Sequence, residues 1–124
     1  MEAVGKHVIW DMYADPWLLS DVTSVRQWLD AVVNAAGMEP LGPPQVYVLE
    51  NTDPTGPGIT AFQPIVTSHV SIHTFPERGT LNADLFSCKD TFDEAELEAL
   101  LVYYFAAWRL TDPVVLTRYG GPVI

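Results

Sequence analysis

A serine, two of the chain's three histidines and its only cysteine lie between Ile65 and Cys88, in the run I-V-T-S-H-V-S-I-H-T-F-P-E-R-G-T-L-N-A-D-L-F-S-C. A hydroxyl or a thiol can act as nucleophile or proton donor, and an imidazole carries protons near neutral pH. Ser68, His69, His73 and Cys88 are therefore the residues whose chemistry needs an account. Taken singly each has a plainer reading. A solitary strand cysteine is ordinarily a small buried hydrophobe, and a strand histidine is ordinarily a structural group. His69 and His73 are four apart, yet no H-E-x-x-H and no second cysteine accompany them, so no metal site is expected. Neither G-x-S-x-G nor a phosphate-cradling G-x-x-x-x-G-K occurs.

Two strands would bring these groups together. Residues 65–75 and 80–88 are rich in Val, Ile, Thr, Leu and Phe, and Pro76 and Gly79 mark a turn between them. With a side-chain period of two, His69, Ser71, His73 and Phe75 share one face of the first strand. Asp84, Phe86 and Cys88 share one face of the second. Such a hairpin returns Cys88 to the neighbourhood of Ser68 or His69.

The run Thr67-Ser68-His69-Val70-Ser71-Ile72-His73-Thr74-Phe75-Pro76-Glu77, followed by Asp84-Leu85-Phe86-Ser87-Cys88, resembles the bacterial-type S-adenosylmethionine decarboxylase proenzymes. Their pattern there is E-S-H-x-S/T-I-H-T-W-P-E and then D-x-F-T-C. The intervals from the serine to the second histidine and to the cysteine agree, and Gly5-Lys6-His7, Gly58-Ile59-Thr60 and Arg118 extend the likeness. The resemblance implies self-cleavage between Thr67 and Ser68, in which the Ser68 hydroxyl attacks the Thr67 carbonyl. Elimination from the resulting ester then leaves a pyruvoyl cofactor derived from Ser68, with His73 assisting. It implies a Schiff base between that pyruvoyl group and the substrate amine, reprotonation by Cys88, and substrate contacts from Thr60, Phe75 and Glu77. The implied reaction is decarboxylation of S-adenosylmethionine for spermidine (polyamine) biosynthesis, by a homodimer. The sequence departs from the pattern at Thr67, where the family has glutamate and where a β-branched side chain crowds the carbonyl to be attacked. Phe75 replaces a tryptophan, and Pro54 falls where the family's adenine-stacking phenylalanine would be. These departures keep two alternatives open. One is the same chemistry on another amino acid, such as ornithine or arginine; the other is a homologue that never cleaves and binds a ligand or partner subunit.

The elements that must hold these residues can be read from either side of the hairpin. Gly5–Tyr13 reads as a strand ending at Asp15-Pro16, with His7 and Asp11 on its polar face. From a cap at Ser20 or Asp21, Val22, Val25, Leu29, Val32, Val33 and Ala36 recur at helical spacing up to Gly37, with Trp28 beside that stripe as a core residue. Gln45–Leu49 is a second strand. Asn51–Gly58 is a turn-rich loop expected to line the site, and the strand from Ile59 to Thr67 carries Pro64, a sign of an edge or bulge. Thr91 and Glu94 form a capping box for a helix in which Leu97, Leu100, Leu101, Tyr104 and Trp108 trace one face to about Leu110. Val114–Tyr119 is a last strand. The expected fold is α+β, with two helices packed on one face of a mainly antiparallel sheet, an S-adenosylmethionine decarboxylase-like sandwich.

At 124 residues the chain is read as a single domain, 1–124. It is 48% hydrophobic and only 18% charged, with a mean hydropathy of +0.13, so its surface is poor in charge and an oligomer is expected. Sixteen acidic residues against six basic give a net charge of −10. That balance repels phosphate backbones and anionic membranes, which argues against nucleic-acid or membrane partners and suits a cationic small-molecule substrate. One cysteine permits no intrachain disulfide. With no apolar run long enough for a membrane span and no secretory leader pattern, the expectation is a cytoplasmic protein.

Overall fold

The computed structural model describes residues 2–52, 54–89 and 91–122. Its framework is a seven-stranded sheet in which every pairing is antiparallel. The chain forms β1 (Glu2–Tyr13), α1 (Pro16–Leu19), α2 (Val22–Ala35), β2 (Gln45–Leu49), β3 (Gly58–Ile65), β4 (Ser68–Phe75), β5 (Thr80–Ser87), α3 (Glu94–Phe105), β6 (Trp108–Arg109) and β7 (Val114–Gly120). Strands β2 to β5 follow one another across the sheet as a meander. β1 lies beside β5, and β6 and β7 pair with the far side of β1.

The period-two pattern buries one face. Val8, Trp10 and Met12 of β1, Leu81 and Leu85 of β5, Val70 and Ile72 of β4 and Ile59 of β3 are all essentially inaccessible. They meet Val25, Trp28, Leu29 and Val32 of α2 and Leu97, Leu101 and Phe105 of α3. Each such side chain contributes about 1.5–3 kcal/mol of transfer free energy, so this layer dominates the stability of the fold. Among the described residues, no helix covers the opposite face. On it lie His7, Thr60, Phe62, His69, Ser71, His73, Asn82, Asp84 and Phe86, none of them fully buried.

The α+β arrangement and the residues of α2 match expectation, with Asp21 as the cap accepting from the Thr23 amide. Several details differ. The Asp15-Pro16 break is itself a one-turn helix, in which Asp15 accepts from the Trp17 amide and Pro16 starts the turn; four residues are too few for a periodic signal. The cap of α3 is Asp93, whose carboxylate accepts from the Ala95 amide, and not the Thr91–Glu94 box. That helix stops at Phe105, because Ala106 turns left-handed at φ 51°, so Trp108 does not extend its apolar face. Trp108 is instead an exposed β6 residue stacked on Tyr13 at 5.4 Å. Pro64 causes no bulge: its pairing with His69 is in register, and on its other flank, beyond the start of β2 opposite Phe62, the Leu41 amide donates to the Pro64 carbonyl and Pro40 bridges Ile65, an irregular pairing that does not require a proline N–H. Asp53 of the turn-rich loop lies outside the described residues. Among the described residues, no helix is long and apolar enough to cross a membrane.

Candidate active site

The hairpin of β4 and β5 forms as expected, but residues 65–67 do not begin β4. Ile65 pairs with Ser68, so Val66 and Thr67 are a two-residue turn from β3 into β4. Thr67 sits at φ 55°, and Thr67 and Ala106 are the non-glycine residues with positive φ among those described. For a β-branched residue this backbone region is a true outlier, costing about 1–3 kcal/mol. The Thr67 hydroxyl donates to the Val66 carbonyl at 2.7 Å. Directly beside the turn, the Cys88 amide donates to Ser68 Oγ at 3.0 Å. The neighbouring Thr67 side chain, then that of Ser68, keeps the exposed Cys88 thiol below the ordinary thiol range. The turn and Cys88 border a cavity of about 310 Å³ that Gly37, Met38, Glu39 and Lys89 complete.

At the other end of β4 a second group gathers. His73 Nδ1 lies 3.1 Å from Thr60 Oγ1, the residue opposite it on β3. Both line a cavity of about 210 Å³ with Leu49, Thr55, Gly56, Pro57, Thr74 and Phe75. Glu77, in the following turn, directs its carboxylate at Gly56. Gly58 is required here, since a Cβ would collide with the Thr74 carbonyl; the Ile59 amide instead donates to Thr74 Oγ1 at 2.9 Å. The loop before β3 does line this end of the sheet.

The seven residues singled out in the sequence are thus brought together as two sets. Thr67, Ser68 and Cys88 form one; Thr60, His73, Phe75 and Glu77 form the other. Five residues of extended strand separate Ser68 from His73, roughly 17 Å at about 3.4 Å per residue. Within one copy His73 does not reach the peptide bond it was expected to serve.

Between the two sets lies a polar cluster that sequence reasoning did not assemble. Asp84 Oδ2 is 2.6 Å from His7 Nε2 and 3.0 Å from His69 Nε2, and its other oxygen accepts from the Ser71 hydroxyl. Burial pulls the Asp84 carboxyl up, but the hydrogen bonds from Ser71, His7 and His69 outweigh it, and the carboxyl sits below its ordinary value. Arg118 on β7 donates to His7 Nδ1 at 3.1 Å and covers the Phe86 ring. His7, His69 and Asp84 have the ligand spacing of a metal centre. Arg118 tells against that use, since a histidine bound to metal through Nε2 carries a hydrogen on Nδ1, where Arg118 already points a donor. Strand alternation put His69 and Ser71 on one face of the first strand and Asp84 on one face of the second. What the sequence did not reveal was that β1 lies beside β5, the pairing that delivers His7.

A family model described as S-adenosylmethionine decarboxylase matches residues 6–113. The chain belongs to the S-adenosylmethionine decarboxylase family. Among relatives of this family, the S-adenosylmethionine decarboxylase proenzyme of Archaeoglobus fulgidus is 38% identical over 89 residues, spanning 71% of this chain and 74% of that protein. The proenzyme of Carboxydothermus hydrogenoformans is 31% identical over 112 residues, 90% of this chain and 84% of its own length. The crystal structure of adenosylmethionine decarboxylase from Aquifex aeolicus superposes with a TM-score of 0.78 over 98% of this chain and 96% of that one. At 22% identity the likeness concerns the fold.

Proposed function

We propose that this chain is the precursor of a pyruvoyl-dependent S-adenosylmethionine decarboxylase. As a single domain, 1–124, it cleaves itself between Thr67 and Ser68 and works as a cytoplasmic homodimer in spermidine synthesis. The observation that carries this reading is the Val66–Thr67 turn. The residue whose carbonyl must be attacked is held in a strained conformation, and the attacking hydroxyl is the next residue, fixed by the Cys88 amide. Conversion of the amide to an ester releases that strain. The Cys88 N–H directed at Ser68 Oγ orients that oxygen and stabilises its charge as the hydroxyl proton leaves, before the negative charge passes to the Thr67 carbonyl oxygen.

The residues fit the cofactor. Ser68 is the source of the group; Cys88, with its acidified thiol, stands beside it as proton donor, and the adjoining cavity leaves room. A pyruvoyl ketone at residue 68 would serve as the electron sink for loss of carbon dioxide. Glu77 and Thr60 supply a carboxylate and a hydroxyl for a ribose, and Phe75 an apolar wall. Tyr47, exposed and opposite Thr60 on β2, offers the aromatic surface that Pro54 does not.

The separation of the two sets supports a dimer in which the open sheet faces meet. A two-fold axis would set Ser68 and Cys88 of one copy against Thr60, His73 and Glu77 of the other. The same packing would cover Tyr47, Phe62, Val114 and Leu116, which a single copy leaves exposed.

The test is the intact mass of the purified, denatured protein. Fragments 1–67 and 68–124, the latter carrying pyruvoyl in place of serine, are expected; a single stable 13.7 kDa species would overturn the proposal. Pro54 favours a second reading of the substrate, in which the same chemistry acts on ornithine or arginine. Carbon dioxide release from these against S-adenosylmethionine decides between them.

A further inference from the structure

The cavity of about 310 Å³ beside Cys88 has one basic residue in its lining, Lys89. Its place is set from both ends. The Lys89 amide donates to the hydroxyl of buried Ser87 at 2.9 Å, which fixes the chain as it leaves β5, and the ammonium donates to the Gly37 carbonyl at 2.7 Å, just past the end of α2. One carbonyl satisfies one of the three hydrogens of an ammonium. Among the described residues no carboxylate pairs with Lys89, Glu39 of the same lining included, whereas Lys6 is paired with Glu94 and Arg109 with Glu98 and Asp112. The charge reaches Cys88: the thiol is lowered first by the Thr67 side chain, and Lys89 acts on it in the same direction. The Cys88 amide in turn donates to Ser68 Oγ at 3.0 Å. The free cation, the proposed proton donor and residue 68 are thus neighbours. At the other end of β4, the cavity that Thr60, His73 and Phe75 border has no lysine or arginine in its lining.

We propose that Lys89 is the anchor for the α-carboxylate of the amino-acid substrate. A substrate whose α-amine meets residue 68 carries its carboxylate on the same carbon as that amine, so the carboxylate comes to rest beside Cys88, within reach of the ammonium. The hydrogens that Gly37 leaves free on Lys89 then donate to it, a charge-assisted pairing. This is an interaction of the ground state. As the bond from the α-carbon to the carboxylate breaks, carbon dioxide leaves uncharged, the electron pair stays on the side of the α-carbon, and Cys88 supplies the proton that replaces the lost group. The charge that Lys89 holds is therefore gone at the end of the step, and the residue contributes to affinity and placement in preference to the barrier. The assignment rests on the decarboxylase reading above. It applies equally to S-adenosylmethionine, ornithine and arginine, since all three carry the group in question.

The experiment compares Lys89→Gln and Lys89→Arg with the wild type, with intact mass to establish cleavage and thermal melting to establish folding. Carbon dioxide release gives KM and kcat. Calorimetry in a Cys88→Ala background, where turnover is slow, gives Kd for S-adenosylmethionine and for its decarboxylated product, which differs only in lacking the carboxylate. Lys89→Gln is expected to raise both KM and Kd for the substrate about 10–100-fold, the worth of one hydrogen bond between charged groups, while the Kd of the product stays put. The loss falls on KM, with kcat moving by less than about threefold, and Lys89→Arg recovers most of it. Substrate affinity in Lys89→Gln within about threefold of the wild type would overturn the assignment. So would equal weakening of substrate and product, the mark of a merely structural role at the end of α2, or a loss confined to kcat. Absence of carbon dioxide release by the wild type from S-adenosylmethionine, ornithine and arginine would instead overturn the decarboxylase reading, and this assignment with it.

Discussion

Thr67 carries two effects of opposite sign. In the cleavage proposed above, its β-branch would crowd the carbonyl under attack and slow the step, while its left-handed backbone would raise the energy of the precursor and speed it. Glycine removes both. If strain dominates, Thr67→Gly slows cleavage about tenfold, the equivalent of ~1.4 kcal/mol; acceleration in a gel time course would show that crowding dominates. Cys88 is a test of a different step. Cys88→Ala should still cleave, since the contact to Ser68 comes from its backbone amide, yet should lose about 100-fold in carbon dioxide release because the proton donor is gone. Ser68→Ala should lose both. Asp84 links the site to stability. Its folded pKa is depressed, so its contribution is complete above the unfolded carboxylate value of about 4 and is lost as pH falls through the lower folded value. Urea midpoints of wild type and Asp84→Asn should differ by a constant amount near neutrality and converge in acid.

The elements divide by whether local chemistry or distant contacts set them. α2 was legible because its apolar stripe, its Asp21 cap and Gly37 agree with one another. The β4–β5 turn was legible because Pro76 and Gly79 mark it. The Val66–Thr67 turn was not, since neither residue favours a turn and only the pairing of β3 with β4 forces it. The end of α3 was illegible for the same reason: Ala106 is a good helix former, driven left-handed where the Phe105 carbonyl accepts from the Asp15 amide. A residue strained without chemical purpose should be improvable. Ala106→Gly is expected to stabilise the fold by about 0.5–1 kcal/mol, read as a higher thermal midpoint, with cleavage unchanged. Most of the candidate site was legible as residues, because motif and spacing name them. Its division into two sets was not, because sequence spacing does not announce that five residues along a strand is too far for catalysis.

At the scale of the whole molecule, low surface charge and an uncovered sheet face point the same way. If copies meet through that face, the two sets complete each other across the interface, and the test is subunit mixing. Co-expressed Glu77→Gln and Cys88→Ala chains should each be nearly inactive alone. Together they should recover about a quarter of wild-type turnover, since half the dimers are mixed and one of the two sites in each is intact. No recovery would place both residues in one copy's site.

The sheet order has a consequence for what the proposed cleavage between Thr67 and Ser68 would leave behind. β1, from the first fragment, lies between β5 and β7, both from the second, while β4 of the second pairs with β3 of the first. The fragments are interleaved, so neither can leave without unzipping ladders on both flanks of a central strand. The nicked protein should therefore filter and sediment as an uncut one, and come apart only on denaturation. Once apart, the two pieces must find each other again to refold, so a protein born from a unimolecular folding reaction becomes one whose recovery depends on concentration.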